Sequence, residues 1–387
     1  MGDAFLKRKI CVITGTRADY GIFYPVMKKI KENKSLRLYI VATCMHLMRE
    51  FGYTLREIEK DGFSIYEKVD ISYKEDTGEA MAHSVGMGVI KFAQVFGRLN
   101  PDIVVLLGDR GEMLSAAVSA NYLNIPVAHI HGGEISGHLD GILRHAITKL
   151  AHIHFPATHK SARRILKMGE EKSRIHVVGA PALDRILSGD YTHESELLRK
   201  YKLEKNEKLI LVVQHPVLTQ IDFSGRQMEI TMEAVIKFEL PTIIIYPNAD
   251  AGGRKMISVI KRYEKFSFIK TYKSIPHKDY LGMLRIASVL VGNSSSGIIE
   301  APSFKLPVVN IGIRQQGRER STNVIDVPHD REKIEKAIGK ALFDKKFREK
   351  VRRCKNPYGD GKASERIVDV LSKIKIDREL LQKKLTL

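Results

Sequence analysis

Tryptophan is absent from the 387 residues, and cysteine occurs only three times, as Cys11, Cys44 and Cys354. The three are far apart and none falls in a Cys-x-x-Cys pair, which argues against a disulfide framework or a cysteine zinc site. Cys11 and Cys44 sit in apolar runs, where a thiol serves as a small hydrophobe. No stretch approaches the ~18 uninterrupted apolar residues of a membrane span. The amino-terminal MGDAFLKR has no apolar signal core, and Leu6 stands where myristoylation requires Ser or Thr. These absences point to a cytoplasmic chain with no membrane partner. Low-complexity tracts are also lacking, and a hydrophobic share of 43% is that of an ordinary globular protein. At this length one core rarely organises the whole chain, so two domains are expected.

Acidic residues are in short supply: 45 stand against 64 Lys and Arg, a formal net charge of +19. Such a surplus fits a nucleic-acid surface, a cleft that draws in a small anionic substrate, or a solvated lysine-rich exterior. Much of it lies in the last third, in stretches such as residues 340–353, where basic and apolar positions alternate at helical spacing as on a surface helix. The lack of Trp, and of aromatics interleaved with those basic residues, speaks against a nucleic-acid partner.

What is present is a repeat of buried strand, loop and helix. Residues 9–14 form an apolar run ending in Gly15, the pattern of a strand covered on both faces, and a helix is expected over 22–31. Runs at 36–42, 103–107, 127–130 and 175–178 repeat the strand pattern, with helices at 79–99 and 111–123 between them. This alternation predicts βαβ units around a parallel sheet. A turn-rich passage at 179–184 breaks the series, and a charged, weakly structured stretch follows to Lys208. A second series starts at 209–213 and continues at 242–246, 288–291 and 308–311. The chain is therefore expected to be α/β, with two doubly wound Rossmann-like domains, residues 1–180 and 181–360, facing a cleft. Residues 361–387 are expected to form one long basic helix packed back on the first domain.

Open α/β sheets bind ligands beyond the carboxyl ends of their strands, and the polar clusters all fall there. GTRADYG at 15–21 is neither GxGxxG nor a P-loop. Its glycine-bracketed turn offers backbone N–H groups to an anion and Arg17 adds a guanidinium fork, unless it is a plain turn with a surface Arg. GDRG places Asp109 and Arg110 at a strand end, with Asp109 either an active-site acid or a helix N-cap. HIHGGE ends in Glu134, and the LDG that follows carries Asp140. Three carboxylates at one sheet edge repel one another, and repulsion with burial raises at least one pKa toward neutrality, as proton transfer requires. Seven histidines between His129 and His159 raise the question of a metal, but HExxH is missing and the spacings are unrelated, so none is expected.

In the second series QHP ends a strand with His215, which is an acid, an anion contact or a satisfied structural histidine. PNADAGG carries Asn248 and Asp250. GNSSSGIIE sets three hydroxyls and a glycine at a helix N-terminus, a cradle for a diphosphate, with Glu300 two turns in where it can accept both hydroxyls of a ribose. IRQQGRER is a basic loop able to close on phosphates.

In this order the motifs GTRADYG, GDR, HGGE, RHAITKLAH, QHP, PNADAGG, GNSSSGIIE and IRQQGRE resemble those of the hydrolysing UDP-N-acetylglucosamine 2-epimerases, a branch of the UDP-N-acetylglucosamine 2-epimerase family. The resemblance runs from about Lys9 to Gly361. It implies the glycosyltransferase-B architecture, a UDP-sugar substrate held mainly by the second domain, no metal or redox cofactor, and a homo-oligomer, dimer or tetramer. The implied reaction takes UDP-N-acetylglucosamine and water to N-acetylmannosamine and UDP, by anti elimination to a 2-acetamidoglucal and then syn hydration. The same reaction on UDP-2,4-diacetamido-2,4,6-trideoxyglucose is the alternative, and a non-hydrolysing epimerase or a glycosyltransferase on this architecture stand further off. By motif position Asp109, Glu134 and Asp140 would serve in proton transfer, His215 would lie near the leaving group, and Arg17 and Arg110 would be cleft contacts. Asn248, Ser294, Ser295, Glu300 and Arg314 would hold UDP. Two positions depart from the pattern: Gly141 stands where a second acid is frequent, and Gly21 where some relatives carry Ser.

Overall fold

A computed structural model describes residues 7–72, 75–137 and 139–386. The Met1–Leu6 stretch and His138, one of the seven histidines, lie outside the described residues. Two six-stranded parallel sheets carry the chain. The first contains β1 (Arg8–Thr14), β2 (Leu36–Thr43), β3 (Ile65–Val69), β4 (Ile103–Leu107), β5 (Val127–Ile130) and β6 (Ile153–Phe155), in the order β3-β2-β1-β4-β5-β6. The second contains β7 (Ile210–Val213), β8 (Thr242–Ile245), β9 (Ile269–Tyr272), β10 (Val289–Gly292), β11 (Val308–Ile311) and β12 (Val324–Val327), in the equivalent order β12-β11-β10-β7-β8-β9. Each order reverses beside its first strand, between β1 and β4 and between β7 and β10, where an open α/β sheet leaves a crevice.

Helices cover both faces of each sheet, so a central strand such as β4 is apolar throughout, with no residue more than 6% exposed. Each such Val, Ile or Leu contributes about 1.5–3 kcal/mol by leaving water. The first sheet supports one core around Phe23 and Ile40 and another, on its opposite face, around Phe92 and Phe96.

Several sequence expectations need correction. Residues 175–178 run along the open side of the edge strand β6 without forming a strand of their own: Ile175 bridges His154, and the His176 and Val178 N–H groups donate to the His154 and Pro156 carbonyls. The passage to Lys208 is not weakly structured: helices span Ala182–Leu187 and Glu194–Tyr201. The first helix begins at Arg17, not at 22, because Thr16 and Asp19 form a reciprocal capping box. At the carboxyl end the helix is Ala363–Lys373; the backbone turns extended at Ile374, and a separate turn, Arg378–Leu381, follows. Ile367, Val368, Leu371 and Leu380 from these two pieces join the Phe23 core of the first sheet.

The halves touch closely. The Arg17–Glu32 helix passes so near His277 that a Cβ on Gly21 would lie 2.1 Å from that ring, so Gly21 is a packing requirement rather than a lost hydroxyl. Among the described residues no helix is long and apolar enough to cross a membrane.

Candidate active site

A cavity of about 570 Å3 lies between the carboxyl edges of the two sheets. Asp109, Arg110, Asp140 and Arg144 line it from the first half, and Asn248, Ser295 and Arg314 from the second. Arg17, His215, Ser294 and Glu300 are not part of its wall, and Glu134 borders a smaller neighbouring cavity of about 360 Å3.

The loop after β1 does not act as an anion cradle. Its Gly15 and Thr16 N–H groups both donate to the Asp19 carboxylate, each at 2.9 Å, and the Thr14 hydroxyl donates to it at 2.8 Å. Burial still pushes the Asp19 carboxyl up, against the pull of those hydrogen bonds. Arg17 is the first residue of the helix and leads to the other half, where it donates to the Ile275 carbonyl at 2.6 Å and lies over the Tyr280 ring.

The three acids are not a mutually repelling set, because each has its own guanidinium. Asp109 pairs with Arg144; the helix N-cap beside it is Arg110, which disposes of the capping role for Asp109. Asp140, in the first turn of the Leu139–Leu150 helix, faces Arg314 of the second half at 3.5 Å. Glu134 is 3% exposed, lies 2.8 Å from His131 Nδ1 and pairs with Arg318 at 2.9 Å. Burial acts to lift the Glu134 pKa, but Arg318 and His131 outweigh it and hold the carboxyl below its usual range. The expected upward shift is therefore reversed at Glu134, and only Asp109 and Asp140 of the three reach the main cavity. Arg110 bridges the halves, from Glu112 at 2.8 Å to Asp250 at 3.1 Å. Gly141 has a local cause as well: a Cβ there would press on the Ser136 carbonyl at 3.0 Å.

In the second half Asn293, after β10, clasps His215, after β7. Its Oδ1 accepts the His215 N–H at 2.7 Å and its Nδ2 donates to the His215 carbonyl at 2.9 Å. The Asn248 N–H donates to His215 Nδ1 at 3.1 Å, which leaves the ring proton on Nε2. Burial, with Arg314, Arg110 and Arg17 nearby, pushes the His215 pKa well below its ordinary value. His215 is thus a neutral donor suited to an anion, not a charged acid. Arg314 donates to the Asn293 carbonyl at 3.2 Å.

The GNSSSGIIE segment also differs from expectation. Its helix is a single turn, Ser296–Ile299, and Glu300 closes it instead of lying two turns in. Ser294 accepts from the Ser296 hydroxyl at 2.9 Å, and Ser296 in turn meets the Tyr280 hydroxyl. Glu300 is 6% exposed, and burial raises its carboxyl to about 7 despite Arg318 and Arg17 nearby.

The clustered histidines are mostly structural. His129 reaches the Gly108 carbonyl at 2.7 Å and Thr148 at 3.2 Å, His152 accepts the Val127 N–H, and His154 meets Glu170 at 3.1 Å. Sequence reasoning weighed His131 only as a metal ligand and passed over Arg144 and Arg318. A signal was present, since His131 and Glu134 are three residues apart in a glycine turn and Arg318 lies in the same basic loop as Arg314.

Fold and site together define a two-sheet α/β protein of the glycosyltransferase-B type, with an anion-suited cleft between its halves. A solved structure of UDP-GlcNAc 2-epimerase from Neisseria meningitidis bound to UDP-GlcNAc superposes with a TM-score of 0.80, at 18% identity, over 95% of this chain and 100% of that one. The profile of the UDP-N-acetylglucosamine 2-epimerase family matches residues 28–372, and the chain belongs to that family. It is 40% identical over 376 residues to a Legionella pneumophila UDP-N,N'-diacetylbacillosamine 2-epimerase (hydrolyzing), covering 97% of this chain and 98% of that protein. It is 35% identical over 324 residues to a Campylobacter jejuni GDP/UDP-N,N'-diacetylbacillosamine 2-epimerase (hydrolyzing), covering 83% and 84%.

Proposed function

We propose that this protein is a hydrolysing 2-epimerase that releases UDP from a UDP-2-acetamido sugar and inverts C2. The observation that carries the reading is the Asp140–Arg314 pair, which brings an acid of one half against the basic loop of the other at the cavity wall. Elimination removes the C2 proton, forms the C1–C2 double bond and sends the C1–O electron pair to the diphosphate. Water then adds its oxygen to C1 while C2 gains a proton on its opposite face. The C2 hydrogen has no neighbouring carbonyl to acidify it, so the departing diphosphate must be stabilised as it leaves. In this reading Arg314 and the neutral Nε2–H of His215 take that task, Asn248, Ser294, Ser295 and Glu300 hold the nucleotide, and Arg17 and Arg110 keep the halves together; Arg314, Asn248 and Ser295 in the cavity wall support it.

Two substrates share this chemistry. UDP-N-acetylglucosamine is the family's eponymous sugar. The diacetamido sugar, UDP-N,N'-diacetylbacillosamine, is favoured by the names of the 40% and 35% identical relatives. Apolar side chains in the wall, including Met45, Met48 and Met81, suit its 6-methyl group. Incubation with each UDP-sugar in D2O, followed by proton NMR, tests both readings. The expected products are free UDP and a C2-inverted sugar deuterated at C2, formed faster from the diacetamido compound. Inverted sugar still attached to UDP would refute hydrolysis.

A further inference from the structure

Inversion at C2 needs a proton taken from one face and another delivered to the opposite face, hence two carriers. We propose that His131 is the carrier that accepts the C2 proton, with Glu134 as its positioning residue; this rests on the elimination and hydration reading above. His131 is the one histidine among the described residues in the wall of the main cavity. It follows β5 directly and is held at φ +63°, a left-handed backbone that non-glycine residues keep where the surroundings enforce it.

The hydrogen bonding assigns its tautomer. Glu134 is bound on one oxygen by Arg318 and on the other by His131 Nδ1. A carboxylate can only accept, so Nδ1 carries the ring proton, and Nε2 is left with its lone pair and no protein partner. In the step, the C2 proton passes to Nε2, the C2–H pair becomes the C1–C2 double bond, and the C1–O pair leaves with the diphosphate. The imidazolium so formed is neutralised by Glu134 at 2.8 Å. Asp109 and Asp140, which share the cavity, supply the second carrier.

The histidines with both ring nitrogens engaged cannot serve in this way. His129 is held by Gly108 and Thr148, and His46 by Thr14 and Thr54.

The test combines a variant with a direct view of the ring. His131→Asn tolerates the left-handed backbone and should keep UDP binding within about threefold, measured by calorimetry, while C2 deuterium incorporation falls by ~10²–10⁴. Added imidazole should restore part of the rate. Glu134→Gln should lower kcat with KM little changed. Nitrogen-15 NMR of the neutral wild-type ring should find Nδ1 protonated and Nε2 bare. An active wild type whose His131→Asn variant exchanges C2 at the full rate overturns this proposal alone, as does a ring protonated only at Nε2. A wild type inert toward both UDP-sugars overturns the functional reading, and this proposal with it.

Discussion

Glu134 and Glu300 are both almost wholly buried carboxylates, yet they end on opposite sides of the ordinary value. Arg318 at 2.9 Å decides the first; burial decides the second, which reaches about 7. For a carboxyl raised in the folded state, the stabilising contribution is complete below its unfolded pKa of 4.5 and is lost as pH climbs to about 7. Glu300→Gln removes that titration. In urea unfolding the variant should gain on the wild type by up to about 3 kcal/mol between pH ~5 and ~8, while binding UDP more weakly. An equal difference at both pH values would refute the raised pKa. Arg318→Met strands the buried Glu134 carboxylate without its counterion and should cost about 3–5 kcal/mol of stability, read as a lower midpoint in urea unfolding. The positions of Asp109 and Glu134 were legible in the chain, because each follows a buried strand at a glycine turn. Their guanidinium partners were not, since Arg144 lies 35 positions beyond Asp109 and Arg318 184 beyond Glu134, distances that only the folded sheets close.

At the level of elements, the eight central strands stood out as apolar runs, and the four missed or misplaced were all at sheet edges: β3, β6, β9 and β12. An edge strand has one open side, so its composition is mixed; β12 contains no buried residue, and β6 spans only three positions. The helix starts depended on caps, which is why the Thr16 and Asp19 box moved the first helix forward by five residues from 22 to 17. Close approach of elements is equally hard to see in a sequence. Gly21→Ala would drive a methyl into the His277 ring and should destabilise the protein by about 1–3 kcal/mol and weaken UDP binding, visible as a lower Tm and a raised Kd. A variant with unchanged Tm would show that the Arg17–Glu32 helix and the His277–Ile286 helix can move apart freely.

Across the whole molecule a set of polar contacts gathered at the 250–254 turn ties the halves. Asp76 accepts the Gly252 and Arg254 N–H groups, Arg254 forks onto Glu50, and Arg110 reaches Asp250. On the function proposed above, a net charge of +19 would steer a doubly charged nucleotide-sugar toward this cleft. Raising salt from ~0.05 to ~0.5 M should therefore lower kcat/KM several-fold, mainly through the association step. A rate indifferent to salt would place the surplus charge far from the substrate's path.

The carboxyl-terminal pieces carry a further consequence. Ile367, Val368, Leu371 and Leu380 fill a core whose other members, such as Tyr20 and Phe23, are made first. During synthesis this core of the first sheet stays incomplete until residues 367–380 have left the ribosome. A nascent chain stalled at residue 360 should bind a hydrophobic dye and be cleaved by protease in its first sheet, and one in which residues 367–380 have also emerged should be protected.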